Sequence, residues 1–353
     1  MARSSGVRNR SRDLVGNFFT RAQVKITSTV VRWYLERYYG RPDDPGVPAR
    51  FREPAVVGPF AVSAEALAAG DPRALFRLLV TTAMFQRRQD QQILRILRST
   101  SPERAVALTD AEQLVRAADS CGCSHAVNNE RLLSTCDLTK DPQTKRGVCA
   151  AAPEIECDMK RHSEWLRRYG HFGKVPTSAA LNLRERKVGD LSGLYRSVLS
   201  SYRRRLDRAK ALEAALSASW RVSSKIACMF LSAVSNPDLA PGMTPWTKGV
   251  DWRHFIVIDS NVDLFLKAIG YTGAMFSYEA RRKFIQALSA EIDLRVYKRR
   301  LHSENPRIVQ QAAFAFMSAS NRRASPIDCM HQEGVPCRAC PQGMRSACGV
   351  RPG

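Results

Sequence analysis

Apolar residues recur along this chain at the three- and four-residue spacing of a helix, and few segments alternate strictly between apolar and polar residues. Between residues 71 and 99, the apolar positions at this spacing are Leu75, Leu78, Leu79, Met84, Ile93 and Leu97. A polar cluster at 86–90 interrupts them, which predicts two amphipathic helices joined by a polar turn. Further helical segments are predicted at 30–39, 110–118, 185–219, 225–234, 278–297 and 308–320. The chain is therefore predicted to be all-α.

Length and composition set the domain organisation that we expect. A chain of 353 residues with 44% hydrophobic content can bury a large core, in one large domain or two closely packed ones. We divide it into a basic N-terminal extension at 1–53, a helical domain at 54–320 and a four-cysteine segment at 321–353. The region at about 121–160 is irregular and cysteine-rich, so it is predicted to be an insertion in the helical domain.

The N-terminal sequence lacks the pattern of a secretory signal, and no run approaches the roughly 18 apolar residues that a membrane-spanning helix needs. We therefore expect a soluble intracellular monomer without membrane contact. It would be cytoplasmic and nucleoid-associated in a bacterium, or nuclear in a eukaryote. In such compartments ten cysteines favour metal ligands over disulfides.

The charge balance favours a polyanionic partner. The sequence holds 55 Lys and Arg residues against 33 Asp and Glu residues, a formal net charge of +22, and 43 of the basic residues are arginine. Arginine presents a planar fork of donors that suits phosphate oxygens and base edges. Nucleic acid is therefore the predicted partner. The alternative is that the arginine content reflects a GC-rich genome and that the charge serves only solubility.

Four cysteines stand close together near the end of the sequence. Cys329, Cys337, Cys340 and Cys348 follow the spacing Cys-x7-Cys-x2-Cys-x7-Cys. Four thiolates in one short irregular segment can surround a single metal centre. The tight central pair with nearly equal outer gaps differs from the paired knuckles of most structural zinc sites. An iron–sulfur cluster is the favoured interpretation, with zinc and inert thiols as alternatives, and the neighbouring Arg338 could face DNA.

Two further segments carry residues suited to catalysis. Residues 219–231 read Ser-Trp-Arg-Val-Ser-Ser-Lys-Ile-Ala-Cys-Met-Phe-Leu and place Lys225 at the start of an apolar helix. Residues 258–263 read Ile-Asp-Ser-Asn-Val-Asp and place Asp259 before another apolar helix. Taken singly, Lys225 could be the exposed start of a helix and Asp259 an ordinary helix N-cap. Cys228 lies on the apolar helix and is predicted to be a core residue.

The order of these segments resembles the endonuclease III and adenine-glycosylase branch of the helix-hairpin-helix DNA glycosylases. That family has a helix, a hairpin with a lysine, a second helix, an apolar-Asp-Thr/Ser-x-Val segment and a four-cysteine loop. Here Arg221 and Ser223 stand where the family generally has glycines. Residues 236–255 look like an insertion before Asp259, and the outer cysteine gaps are longer than the family's usual spacing.

The resemblance implies a two-lobed all-α glycosylase fold with a [4Fe–4S] cluster in its C-terminal loop. One lobe would be a helical bundle around 110–233, and the second would pair the N-terminal region with the C-terminal cluster segment. It implies that Lys225 attacks the sugar carbon bearing a damaged base and that Asp259 stabilises the cationic sugar. It also implies that residues of the hairpin and of the polar turn contact double-stranded DNA carrying a damaged or modified base. These residues are Gln86, Arg87, Arg221, Ser223 and Ser224. Gln86 matches the family's stack-inserting glutamine, and its alternative is a surface residue at a helix end.

A second group of cysteines lies in the predicted insertion. Cys121, Cys123, Cys136, Cys149 and Cys157 have wide spacings without a Cys-x2-Cys knuckle. They are interpreted either as a possible second metal site, for zinc, or as reduced thiols. For the whole chain, two functions stay open: a DNA glycosylase with AP-lyase activity, or a non-catalytic DNA-binding iron–sulfur protein on the same scaffold.

Overall fold

The structure is a computed structural model, and it describes residues 14–15, 19–41, 44, 48–86, 90–144, 146–161, 166–167, 170–171 and 173–318. Helices make up most of the residues that the structure describes, and the strands among those residues are few and short. The prediction of an all-α protein is therefore confirmed.

The helices of the described residues, in chain order, are α1 (Arg21–Arg37), α2 (Pro54–Val57), α3 (Ala64–Ala69), α4 (Pro72–Met84), α5 (Asp90–Ser99), α6 (Pro102–Thr109), α7 (Ala111–Ser120), α8 (Asn129–Thr135), α9 (Asp158–Arg161), α10 (Lys174–Glu185), α11 (Leu191–Ser201), α12 (Arg205–Ser217), α13 (Ser224–Ser235), α14 (Ser260–Ala268), α15 (Tyr278–Ala290) and α16 (Pro306–Met317). The strands are β1 (Leu14–Val15), β2 (Phe19–Thr20), β3 (Leu138–Lys140), β4 (Gly147–Cys149), β5 (Leu166–Arg167) and β6 (Gly170–His171), and they form three antiparallel pairs in sequence order.

The chain divides into two compact units. The central unit comprises residues 47–255, and the terminal unit comprises residues 1–46 together with 256–353. This division differs from the three linear segments drawn from the sequence, because the segment around α1 joins the helices that follow residue 256. The N-terminal and C-terminal regions thus share one unit, as in the second lobe that the resemblance implies. The central unit carries the hairpin lysine, Lys225, and the terminal unit carries Asp259.

The terminal unit is organised around α16. All but one of its twelve residues are buried, and α16 packs against α1, α14 and α15. A helix that is apolar on most sides needs neighbours all round it. Three of the buried side chains are polar, however: Arg307, Gln310 and Gln311. The core of this unit therefore contains polar side chains, and within it Arg307 donates to Gln311.

The central unit is organised around α10 and α13. Helix α10 packs against α7 and α8, and α13 packs against α4 and α12. The buried residues of α13 include Ile226, Cys228 and Phe230, so Cys228 is a core residue as predicted. The apolar side chains of α13 thus anchor this helix, with Lys225 in its first turn, on α4 and α12.

Side-chain caps mark where many of these helices begin. Asp71 accepts a hydrogen bond from the Ala74 amide at 2.7 Å, and Pro72 follows it at the first helical position of α4. Helix α1 begins with a reciprocal capping box of Thr20 and Gln23. Such caps satisfy backbone amides that the helix itself leaves without partners. Local sequence therefore decides the starting points of these helices.

Helix α1 begins at Arg21 rather than at residue 30, and α15 ends at Ala290 rather than at 297. Two further differences have a clear physical reason. The segment predicted as helical at 185–219 contains two helices, α11 and α12, because the backbone is extended at Tyr202 and Arg204 between them. Helix α10 itself was not predicted. Ten consecutive residues of it, from Lys174 to Leu183, are buried, so it shows no amphipathic pattern in the sequence.

Residues 236–255, which the sequence suggests as an insertion, pack firmly within the central unit. The buried Trp246 ring stacks on Tyr195 with ring centroids 4.7 Å apart and planes 3° apart. The buried His254 ring lies 2.7 Å from a Glu213 carboxylate oxygen. Arg205, at the start of α12, donates to the Val250 carbonyl at 2.8 Å. Through these contacts, residues 236–255 pack against α11 and α12.

No helix in the described part of the chain combines the length and the apolar character that crossing a bilayer requires.

Candidate functional site

Helices α12 and α13 form a hairpin around a short turn at residues 218–223. The turn is closed by a hydrogen bond from the Val222 amide to the Ser219 carbonyl at 3.1 Å. Arg221 has a φ of 59°, a left-handed conformation that an L-residue adopts at an energetic disadvantage. The backbone at Arg221 therefore has the conformation that favours glycine, the residue type that the resembled family generally places in this hairpin.

Buried polar side chains from α8 and α10 hold this turn. The Ser178 hydroxyl accepts from the Trp220 amide at 2.7 Å and donates to Asn129 Oδ1 at 2.5 Å. Asn129 Nδ2 donates to the Ala218 carbonyl at 3.0 Å, and Asn182 Nδ2 donates to the Ala215 carbonyl at 2.8 Å. Ser178, Asn129 and Asn182 are all nearly inaccessible to solvent. We refer to these three side chains as the hairpin clamp.

A buried lysine also supports the turn. The Lys174 ammonium lies 3.8 Å from the centroid of the Trp220 ring and donates to the Cys136 carbonyl at 2.7 Å. Arg221, which is exposed, lies on the same indole with its guanidinium carbon 5.3 Å from the centroid. Burial lowers the pKa of Lys174 below its ordinary value, and Cys136 and Asp137 oppose that shift. Lys174 thus links the cysteine-rich segment to the hairpin turn.

Lys225 lies in the first turn of α13 and is half-buried. Ser223 is the N-cap residue of this helix, yet its side chain makes no capping hydrogen bond. The first backbone amides of a helix have no partner within the helix, and together with the helix dipole they favour an anion. The predicted residues Arg221, Ser223, Ser224 and Lys225 are therefore brought together at one helix end.

Asp259 is the N-cap of α14, where its Oδ1 accepts from the Val262 amide at 2.9 Å. The segment leading into it is fixed by Tyr278, whose hydroxyl donates to the Ile256 carbonyl at 2.7 Å and accepts from the Ile258 amide at 3.1 Å. The Asp259 side chain is half-buried. The capping role that the sequence offered as the alternative for Asp259 is therefore present.

Arg307 is a buried cation in the core of the terminal unit. It donates to Gln311 Oε1 at 2.7 Å, and its electrostatic neighbours include Tyr34, Asp44 and Asp259. Burial lowers the pKa of the Arg307 guanidinium, whereas these three groups raise it. The Tyr34 hydroxyl donates to Asp44 Oδ2 at 2.7 Å, and burial followed by the Asp44 charge raises the pKa of Tyr34. Sequence reasoning missed Arg307 because it lies within an apolar helix.

Gln86 follows α4 and turns back onto it. Its Nε2 donates to the Ala83 carbonyl at 2.7 Å, and the side chain is half-buried. This position at a helix end fits both interpretations of Gln86. Arg87 and Arg338 lie outside the described residues, as do the four C-terminal cysteines at positions 329, 337, 340 and 348. The iron–sulfur cluster predicted on those cysteines stays a prediction.

The five cysteines of the insertion gather around one small apolar cluster. Cys149 is buried within it, and Cys121, Cys123, Cys136 and Cys157 pack partly buried against it. Burial raises the pKa of the Cys136 thiol to about 11, and neighbouring thiols add to the shift while Lys174 opposes it. In the described ranges, no group of three or more Cys, His, Asp or Glu side chains is placed to hold a metal ion. Zinc on these cysteines therefore stays a prediction without geometric support.

Comparison of the chain with protein-family models, with curated proteins and with solved structures gives no significant match.

Proposed function

We propose that this chain is a DNA glycosylase of the helix-hairpin-helix type with AP-lyase activity. The observation that carries the proposal is the α12–α13 hairpin. Arg221 in its turn has a left-handed backbone conformation, and Lys225 lies in the first turn of the second helix. The formal net charge of +22 supports duplex DNA as the substrate. Its damaged or modified base would leave the stack before the chemistry.

Lys225 is assigned the nucleophilic step. Its neutral amine attacks C1′ of the damaged nucleotide, a nitrogen–carbon bond forms, the glycosidic bond breaks and the base leaves with a proton. The sugar ring then opens, which leaves a Schiff base between C1′ and Nζ. Asp259 is assigned the electrostatic step, because a carboxylate stabilises the positive charge that develops on the sugar.

The proposal is tested by borohydride trapping on duplex DNA that carries an abasic site or oxidised bases. Borohydride reduces a Schiff base to a stable amine, so the wild-type protein should form a covalent adduct. Lys225→Ala should form none. Lys210, an exposed lysine on α12, provides the matched control, and Lys210→Ala should trap DNA like the wild type. An adduct that persists in Lys225→Ala would reassign the nucleophile.

Asp259→Asn isolates the carboxylate charge from the helix cap. Asparagine is as good an N-cap as aspartate, so the bond to the Val262 amide should persist and the protein should stay folded. We expect base release to fall by roughly 100-fold or more, the scale seen when one electrostatic contributor is removed. Asp190→Asn is the control, because Asp190 caps α11 through the Gly193 amide in the same way.

A non-catalytic DNA-binding protein is the second candidate function. It is favoured by the engagement of the Asp259 carboxylate as a cap and by its proximity to the buried Arg307. This alternative predicts tight, salt-dependent DNA binding with neither base release nor adduct on any lesion. That combination of results would exclude the glycosylase.

A further inference from the structure

The loop between α14 and α15 presents an aromatic side chain completely to solvent. Phe276 has a relative exposure of 104%, the highest among the exposed large apolar side chains of the described residues and the only phenylalanine in that group. Burying a phenylalanine ring away from water stabilises a folded protein. The isolated fold lacks this stabilisation at Phe276, and a partner that covers the ring would supply it.

The loop that carries Phe276 is well anchored. The Tyr271 amide donates to the Leu266 carbonyl at 2.9 Å, and the Ser277 amide donates to the Ala274 carbonyl at 3.1 Å. Gln23 Nε2, from α1, donates to the Gly270 carbonyl at 3.0 Å. At Gly273 a Cβ would lie 2.3 Å from the Tyr271 hydroxyl, so a larger residue there would have to displace the Tyr271 ring. These contacts therefore fix the backbone of the loop that presents the Phe276 side chain to solvent.

Phe276 lies near Asp259 in the fold. It is followed by Ser277, the N-cap of α15, and by Tyr278, whose hydroxyl contacts Ile256 and Ile258 just before Asp259. At most about 7 Å of chain separates Phe276 from Tyr278. The ion pair between Arg281 and Asp263 holds the first turn of α15 beside the first turn of α14. The exposed ring and the Asp259 carboxylate are thus held at the same end of α14.

The surroundings of the ring favour a nucleobase as its partner. An exposed aromatic face stacks on any base, and apolar side chains of DNA-binding proteins act as wedges between base steps. The chain's formal net charge of +22 brings a polyanion to its surface, and Lys283 on α15 is exposed. A purely apolar partner would gain nothing from this charge.

We propose that Phe276 is a positioning residue that stacks on a base of the DNA next to the nucleotide on which Asp259 acts. The inference rests on the proposed function. The ring would fill the gap that opens when a base leaves the stack, and the stacking would offset part of the lost base–base contact. Phe276 itself takes no part in bond making or breaking.

The test uses full-length protein and a duplex with a tetrahydrofuran abasic analogue flanked by 2-aminopurine. The analogue cannot react, so binding is read without catalysis, and the fluorescence of 2-aminopurine rises when the base unstacks. Phe276→Ala should bind this duplex roughly 10- to 100-fold more weakly, the effect of removing one aromatic–base stack. It should also lose the fluorescence change. Phe276→Trp should retain both.

Val296 provides the matched control, because it is an apolar residue of the same unit with 76% exposure. Val296→Ala should bind the duplex like the wild type. All three variants should unfold at the wild-type temperature, since exposed side chains contribute little to stability. Wild-type affinity and fluorescence in Phe276→Ala would overturn the proposal. So would a loss of binding to anionic lipid vesicles in Phe276→Ala without any loss of DNA binding.

The failure of this inference can be distinguished from the failure of the proposed function. If the wild type traps DNA with borohydride and Phe276→Ala keeps full affinity, the stacking role is wrong and the glycosylase stands. If the wild type never traps DNA but Phe276→Ala loses affinity and the fluorescence change, Phe276 stacks on DNA in a protein that binds DNA without catalysis.

Discussion

The hairpin clamp gives a prediction with a calculable size. Ser178→Ala removes a hydroxyl that is fully buried on α10 and makes two hydrogen bonds, one with the Trp220 amide and one with Asn129 Oδ1. Alanine is smaller by one atom, so no sizeable cavity forms. The main effect is to leave the part-buried Trp220 amide without its acceptor and the buried Asn129 Oδ1 without its donor.

Each buried polar group left unsatisfied costs about 1–3 kcal/mol, so two such groups cost about 2–6 kcal/mol. The higher helix propensity of alanine returns roughly 0.5 kcal/mol. Partial relaxation of Asn129 lowers the total further. We therefore expect Ser178→Ala to lower the free energy of unfolding by about 2–4 kcal/mol.

Urea unfolding followed by tryptophan fluorescence measures this change. Ser200→Ala is the matched control, because Ser200 lies exposed on α11 and donates only to the Ser197 carbonyl. It should change stability by less than about 0.5 kcal/mol. In native conditions Ser178→Ala should also weaken DNA binding, since the clamp fixes the backbone of the hairpin turn. If the free energy of unfolding of Ser178→Ala lies within about 0.5 kcal/mol of the wild-type value, the clamp contributes no stability and the reasoning is refuted.

Two further predictions concern the hairpin turn and the cysteine-rich segment. Arg221→Gly and Lys187→Gly should each raise the free energy of unfolding by up to about 1 kcal/mol, because they replace the two positive-φ non-glycine residues of the described chain. Only Arg221→Gly should weaken DNA binding at low salt, and equal losses of affinity in both variants would contradict a specific role for the hairpin. The pKa of the Cys136 thiol is raised to about 11 from 9.0, so at pH 7 it should react with iodoacetamide about 100-fold more slowly in the folded than in the unfolded chain. Mass spectrometry of the labelled peptide measures the two rates. Because its folded pKa is raised, Cys136 should stabilise the fold below pH 9 and lose that contribution between pH 9 and pH 11. Cys136→Ala should therefore make the free energy of unfolding less dependent on pH in that window. If the slope of this free energy against pH is unchanged in Cys136→Ala, the linkage is excluded.

Several helices of this protein follow from short stretches of sequence alone. Asp71 and Pro72 mark the start of α4, and the polar cluster at 86–90 separates it from α5. The same local reasoning located α13 and placed Asp259 directly before α14. These features depend on neighbouring residues, since caps, prolines and helical periodicity act within one or two turns.

Other features depend on contacts between residues far apart in the sequence. Helix α10 escaped prediction because it is buried along most of its length, and its neighbours rather than its own pattern decide its structure. Nothing near Arg221 in the sequence indicates a positive φ. That conformation is held by the clamp, whose members Asn129 and Ser178 lie 92 and 43 residues before it in the chain.

The sequence by itself thus determined the all-α class, the positions of many helices and the candidate pair Lys225 and Asp259. The tertiary structure alone decided how the hairpin is held, that Lys174 lies buried against Trp220, and that Arg307 lies among Tyr34, Asp44 and Asp259. It also decided that Phe276 is left fully exposed. The physical reason is that caps and periodicity are local, whereas burial depends on which distant segments come together. Burial sets the value of a hydrogen bond, the pKa of a cation and the availability of an aromatic ring.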